Sequence, residues 1–163
     1  GIEIINYINE KIGDLNFKIS AKSFFQTNSY QTTKLYNIVK KFANLKGDEL
    51  IYDLYSGTGT ISLFLSKYAK KVIGIETVND AVISAKENAE FNKITNTTFI
   101  QGDVKKILSE GVKDYINPEI IILAAAKVGG IKFNMLTKAA FLYENLMIQT
   151  NLIHSISFLL IPS

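Results

Sequence analysis

The chain has 163 residues, 47% of them hydrophobic and 20% charged, a profile that fits one globular domain able to build its own core. It contains no cysteine, which excludes a disulfide scaffold and any chemistry that needs a thiolate of this chain. The net charge of +3 comes from 18 lysines and no arginine against 15 acids. That is thin for a nucleic-acid stripe built on guanidinium forks. The longest apolar run, residues 120–126, falls far short of the roughly 18 residues a bilayer-crossing helix needs. With no leader pattern at its start, the chain reads as cytoplasmic, with no membrane partner.

Residues 2–12 mix apolar and polar side chains and leave helix and strand both open. Phe17-Lys18-Ile19 alternates as a strand does. From Asn28 the pattern turns helical, and Leu35, Ile38, Val39 and Phe42 fall at the spacing of one buried stripe. Lys46-Gly47-Asp48 closes that helix. A regular beat follows: strand 49–53, helix 60–68, strand Lys71–Glu76, helix 80–92, strand Thr97–Gln101, helix 104–112 and strand 119–124. Strands and helices alternating at this interval imply crossover connections and an α/β fold with a parallel sheet covered on both faces. Residues 124–163 break the beat and hold only four charged side chains, against 29 in residues 1–123. A buried element on the sheet would explain this, and so would a segment foreign to the domain.

The most informative stretch is Asp53-Leu54-Tyr55-Ser56-Gly57-Thr58-Gly59-Thr60, which leaves a strand and enters a helix. Glycines there permit a tight turn and close approach of a ligand to the backbone. The carboxyl edge of a doubly wound sheet is where nucleotide-like ligands bind. The next strand ends in Glu76, 17 residues after Gly59, where a carboxylate can accept hydrogen bonds from two ribose hydroxyls. Gly102-Asp103 closes the third strand, within reach of an adenine. A dinucleotide fingerprint asks for a third glycine, and Ser62 stands in that place. An acid at Asp53 is unfavourable beside a pyrophosphate and favourable beside an ammonium. Together these features favour S-adenosylmethionine over a dinucleotide. The plain alternative is a strand–turn–helix with no ligand, and three strand-end acids in register (Asp53, Glu76, Asp103) weigh against it.

Other residues admit ordinary readings. His154, the only histidine, reads as a core or partly exposed side chain, with no cluster suggesting a metal. The lysine pairs at 40–41, 70–71 and 105–106 read as solvated faces, and Met135 and Met147 as core filler. Phe24 and Phe25 suit either base stacking or apolar packing.

Phe17-Lys18-Ile19-Ser20 followed by Ser23-Phe24-Phe25-Gln26-Thr27-Asn28 resembles the segment that precedes the catalytic core in the RNA uracil-5-methyltransferase family. The glycine loop, Gly74-Ile75-Glu76, Ala81-Val82, Ala85-Lys86-Glu87-Asn88-Ala89, Asn92, Asn96 and Phe99 continue the likeness, which runs from about Phe17 to Leu123. The resemblance implies a Rossmann-like S-adenosylmethionine methyltransferase core, incomplete here, acting on uridine C5 in ribosomal or transfer RNA. In that family a cysteine thiolate adds to uracil C6, C5 takes the methyl group, and a carboxylate base removes the C5 proton. The likeness also implies that Gln26, Tyr55, Glu76 and Asp103 hold the cofactor, with Asp53 at the strand end, Gly57 and Gly59 shaping the loop and Thr60 at its exit.

The departures are as definite. Ala124-Ala125-Ala126-Lys127 stands where the family carries aspartate-proline-proline-arginine, the nucleophilic cysteine is absent, and no catalytic base can be placed. Residues 124–163 do not match the family. The expected organisation is therefore a lead-in segment over 1–28, a cofactor-binding core over 29–123 and an apolar tail over 124–163. The expected function is that of an RNA uracil-5-methyltransferase whose turnover is blocked in this chain. The alternatives are a silent S-adenosylmethionine-binding fragment or interaction module, its tail completing the sheet or driving self-association, and a small-molecule methyltransferase.

Overall fold

The computed structural model describes residues 7–20, 29–110, 112, 117–127, 130–137 and 140–141. Gln26, Phe24, Phe25, Met147 and His154 lie outside the described residues. The chain opens with an antiparallel hairpin, β1 (Tyr7–Ile12) and β2 (Leu15–Ser20), turned at Gly13 with φ +57°. The open reading of residues 2–12 thus resolves to a strand over its described part. Helix α1 (Ser29–Ala43) follows, and then β3 (Leu50–Leu54), α2 (Thr60–Leu65), a short 3-10 turn (Ser66–Tyr68), β4 (Lys71–Glu76), α3 (Asn79–Phe91), β5 (Thr97–Gln101), α4 (Val104–Glu110), β6 (Ile120–Lys127), β7 (Gly130–Thr137) and β8 (Ala140–Phe141).

These last six strands form one sheet in the order β5-β4-β3-β6-β7-β8. The pairs β5–β4, β4–β3 and β3–β6 are parallel, as the strand–helix beat implies, while β6–β7 and β7–β8 are antiparallel. Strand β6 runs continuously across position 124, and the β6–β7–β8 ladder continues the sheet beyond it. The strand order reverses at β3, with β4 on one side and β6 on the other. This is the point at which an open α/β sheet leaves a crevice at its carboxyl edge.

Alternation along the strands divides the core in two. Ile51, Val72, Phe99 and Ile122 pack with α1, α2, α3 and the hairpin on one face. Tyr52, Leu54, Ile73, Ile75, Ile121 and Leu123 pack with Val104 and Leu108 of α4 on the other. The buried stripe of α1 departs from the expected one. Tyr36, Val39 and Ala43 are buried, whereas Ile38 and Phe42 are 49% and 63% exposed. The cause is what α1 lies against: it packs on β1 and α2. There the Tyr36 ring meets Phe64 at 5.3 Å between centroids, and its hydroxyl meets Thr60 Oγ1 at 2.7 Å. An aromatic with a polar tip satisfies that junction better than an aliphatic side chain.

The hairpin is held by two asparagines, Asn88 within α3 and Asn92 capping its C-terminus, that imitate a neighbouring strand. Asn88 accepts the Lys18 N–H at 2.8 Å and donates to the Lys18 carbonyl at 3.1 Å. Asn92 does the same with Asn16, at 3.0 and 2.8 Å. Four residues of helix rise about 6 Å and two residues of strand about 6.7 Å, so the two spacings nearly coincide. Asn96 plays a related part: its Nδ2 donates to the carbonyls of Ser66, which begins the 3-10 turn, and Ala69, which follows it.

Asn88 is buried to 1% exposure, so removing its amide strands a backbone N–H and a carbonyl away from water. Asn88→Ala is expected to cost about 2–4 kcal/mol in chemical denaturation. The solvent-exposed bonds of Asn92 are worth less, and Asn92→Ala is expected to cost about 1 kcal/mol.

Candidate functional site

The carboxyl edge is built from one row across the sheet. Phe99 of β5 pairs with Gly74 of β4, Gly74 with Asp53 of β3, and Asp53 with Ile122 of β6. All four face the side covered by α2 and α3. The Phe99 ring lies over Gly74 and under the loop. A Cβ on Gly74 would stand 2.5 Å from Phe99 Cδ1 and 2.9 Å from Ser56 Oγ, and one on Gly59 would stand 2.6 Å from Phe99 Cζ. Gly59 also has φ +77°, so close approach and left-handed backbone both require glycine there. Gly57 differs: its φ is +56°, yet a Cβ would meet nothing within 4 Å. The backbone at Gly57 therefore borders open space. Tyr55 takes φ +56° as well, a conformation that costs a side chain of this size roughly 1–2 kcal/mol.

Asp53 has no exposed surface. Its Oδ2 accepts the Ser62 hydroxyl at 2.5 Å, and its Oδ1 is buried with no partner. Burial, opposed by its bonds to Ser62 and aided by the charge of Glu76, pushes the carboxyl up to about 7. Glu76, 8% exposed, ties two elements together. Its Oε2 accepts the Gly57 N–H at 2.8 Å, and its Oε1 accepts the N–H groups of Thr77 and Val78 at 2.7 and 3.0 Å and the Thr77 hydroxyl at 3.1 Å. Four donors fill the roughly four lone-pair sites of a carboxylate. Among them the Thr77 hydroxyl is the donor that can rotate away.

Asp103 caps α4, its Oδ1 accepting the Lys106 N–H at 2.8 Å. The Tyr55 ring is 40% exposed, and burial first, then Asp103 and Glu76, raise its hydroxyl above the usual range. The loop thus brings Asp53, Tyr55, Gly57, Gly59, Glu76 and Asp103 to one edge. Thr60 sits at the same loop exit with its hydroxyl committed to Tyr36. Two partners carry no recognisable signal of their own in the sequence: Ser62, visible only as a departure from a glycine fingerprint, and Tyr36, placed by the packing of α1.

These residues suit a ligand with an adenosine and a cationic end better than one with a pyrophosphate. Three carboxylates line the edge, and neither a lysine nor an arginine falls between Asp53 and Ser66, so phosphate charge has no counter-ion in the loop. The buried Ser56 Oγ has no hydrogen-bond partner and lies toward Gly74, beneath the loop.

The architecture is that of the S-adenosylmethionine-dependent methyltransferases, a Rossmann-like sheet with its glycine loop after the first parallel strand. Residues 45–145 match the family described as "Methyltransferase domain", and the chain belongs to that family. Among curated proteins it is similar to an uncharacterized RNA methyltransferase of Porphyromonas gingivalis, 48% identical over 124 residues, covering 76% of this chain and 27% of that protein. A second, from Clostridium acetobutylicum, is 49% identical over 124 residues, covering 76% and 26%. The chain spans about a quarter of the length of these relatives. Among solved structures, the Pyrococcus abyssi tRNA (uracil-54, C5)-methyltransferase in complex with S-adenosyl-L-homocysteine aligns with a TM-score of 0.55 at 33% identity, over 61% of this chain and 24% of that one. The M. jannaschii tRNA m1G37 methyltransferase aligns with a TM-score of 0.63 at 19% identity, over 77% and 37%, a likeness of fold alone.

The two loop glycines are expected to differ sharply in tolerance. Gly59→Ala drives a methyl group into Phe99 and Ala85 in a left-handed conformation and should cost about 3 kcal/mol or more. Gly57→Ala meets open space and should cost about 1–2 kcal/mol, from backbone strain alone. Urea denaturation of the two variants measures the difference.

Proposed function

We propose that this chain is the S-adenosylmethionine-binding core of an RNA methyltransferase of the uridine-C5 type. The observation that carries the reading is the convergence of three strand-end carboxylates on a glycine loop whose N–H is already held by one of them, Gly57 by Glu76. The 33% identity to a tRNA uracil-C5 methyltransferase supports the substrate class, and the curated relatives named RNA methyltransferases support RNA as the partner.

In this reading Glu76 takes the ribose hydroxyls, Tyr55 and Asp103 flank the adenine, and Gly57 and Gly59 let the backbone lie against the cofactor. Asp53 acts from beneath the loop, its charge favouring the cationic end without touching it. Gln26 and Thr60 complete the proposed cofactor set. The cofactor supplies an activated methyl group; the protein's part is to hold and orient it. The cofactor-binding unit proposed over residues 29–123 has 1–28 leading into it, and the segment 124–163 that follows carries its sheet on through the rest of β6, β7 and β8.

Methylation at C5 by the thiolate route needs a cysteine, and the chain has none. A hydroxyl is barely ionised near neutral pH and does not replace it. Binding without turnover is therefore the activity proposed for this chain.

Calorimetric titration of S-adenosylmethionine into the purified chain should give saturable binding, weakened at least tenfold in Glu76→Ala, a loss of about 1.4 kcal/mol or more. Labelled methyl transfer to bulk RNA should stay at the blank. Equal binding by the two proteins would refute the site, and labelled 5-methyluridine above the blank would refute the silence.

A further inference from the structure

Ser62 occupies the place of the third glycine in a dinucleotide fingerprint, and in this fold it has turned that position to a different use. The residue that caps α2, Gly59, has no side chain, and no side-chain hydrogen bond forms at that cap. Helices in this situation leave their first N–H groups without partners. The side chain that reaches this first turn comes from the neighbouring strand: Asp53, nine residues earlier at the end of β3, accepts the Ser62 hydroxyl at 2.5 Å. Both residues have no exposed surface. The carboxylate thus closes a ring from the end of β3, under the glycine loop, to the first turn of α2.

We propose that Ser62 is a positioning residue for the cofactor loop, its hydroxyl holding the Asp53 carboxylate across the base of the loop so that the start of α2 and the loop above it keep one geometry. This rests on the cofactor reading given above and adds to it a residue that does not touch the ligand.

The groups that face Asp53 make the Ser62 hydroxyl consequential. Glu76 from β4 adds negative charge, and the Tyr36 hydroxyl from α1 is paired with Thr60 Oγ1. In register, β6 contributes only Ile122. Ser62 is the side chain that offsets the burial of the charge. Without its hydroxyl, Oδ2 loses its donor while Oδ1 already has none, and a buried carboxylate with neither oxygen bonded by a side chain favours its protonated form. Protonated Asp53 no longer attracts a cation above the loop. The affinity for S-adenosylmethionine, which carries a sulfonium and an ammonium, should therefore fall as pH drops through about 7, where Asp53 takes up its proton.

The test uses the whole chain as wild type, Ser62→Ala, Asp53→Asn and the double variant, with S-adenosylmethionine binding measured calorimetrically from pH 5.5 to 8.5. Ser62→Ala should bind about tenfold more weakly at pH 7, with its pH midpoint moved upward. Asp53→Asn should bind with no dependence on pH in that window, and adding Ser62→Ala to it should change nothing further. Ser62→Ala with wild-type affinity and midpoint would overturn the proposal, as would losses that multiply in the double variant. A second measurement is independent of the cofactor: the Asp53 carboxyl carbon followed by NMR in ligand-free wild type and Ser62→Ala. An upward shift of its titration in the variant supports the Ser62 role and an unchanged titration overturns it. If the wild type binds no S-adenosylmethionine, the cofactor reading fails and this titration alone decides for Ser62.

Discussion

The geometry of the carboxyl edge depends on one act of close packing: the Phe99 ring fills the space that Gly74 and Gly59 leave empty. A side chain at either position would collide with the ring, so the glycine loop rests directly on the sheet. That contact lowers the loop until Gly57 can donate to Glu76 and until α2 begins within reach of Asp53. Small residues at two positions and a large one at a third form a single unit, and the unit sets where the strand-end carboxylates point. Interiors packed at this density relax little around an added methyl group.

Around that unit the charges are arranged in depth. Asp53 lies beneath the loop with no exposed surface, Glu76 lies at its level and nearly buried, and Asp103 lies outermost, capping α4. The buried charge costs free energy at neutral pH, because its carboxyl is held near 7 against an ordinary value near 4. In the unfolded chain Asp53 ionises earlier, so its contribution to stability falls as pH rises from 4 towards 7. A fold that retains such a group at the base of a loop gains a negative potential there that grows as pH rises through about 7, useful to a cationic ligand and unfavourable to a phosphate.

The framework was legible in the sequence because each parallel strand and its helix carry a clear period and a punctuating turn. Glu76 and Asp103 stood out as strand-end acids for the same reason. What escaped was set by neighbours far apart in the chain. The stripe on α1 follows from Tyr36 finding Thr60, so Ile38 and Phe42 face outward although their spacing is that of a buried face. β1 carries no alternation, since five of its six residues lie outside the core and only Ile12 is fully buried. Asn88 and Asn92 entered the sequence reading only as part of the family likeness; what they hold becomes visible once the edge of β2 is laid beside them. Ser62 was visible only as a missing glycine; its partner, Asp53, becomes apparent once strand and helix are stacked.

The proposed cofactor pocket joins these strand ends into one surface. Amide hydrogen exchange of the whole chain with and without S-adenosylmethionine tests it directly. Protection at residues 55–60, 76–79 and 102–104, with Gln26 the one expected addition outside them, is the predicted result. Protection centred instead on the hairpin and α3, or none at a saturating cofactor concentration, would contradict it.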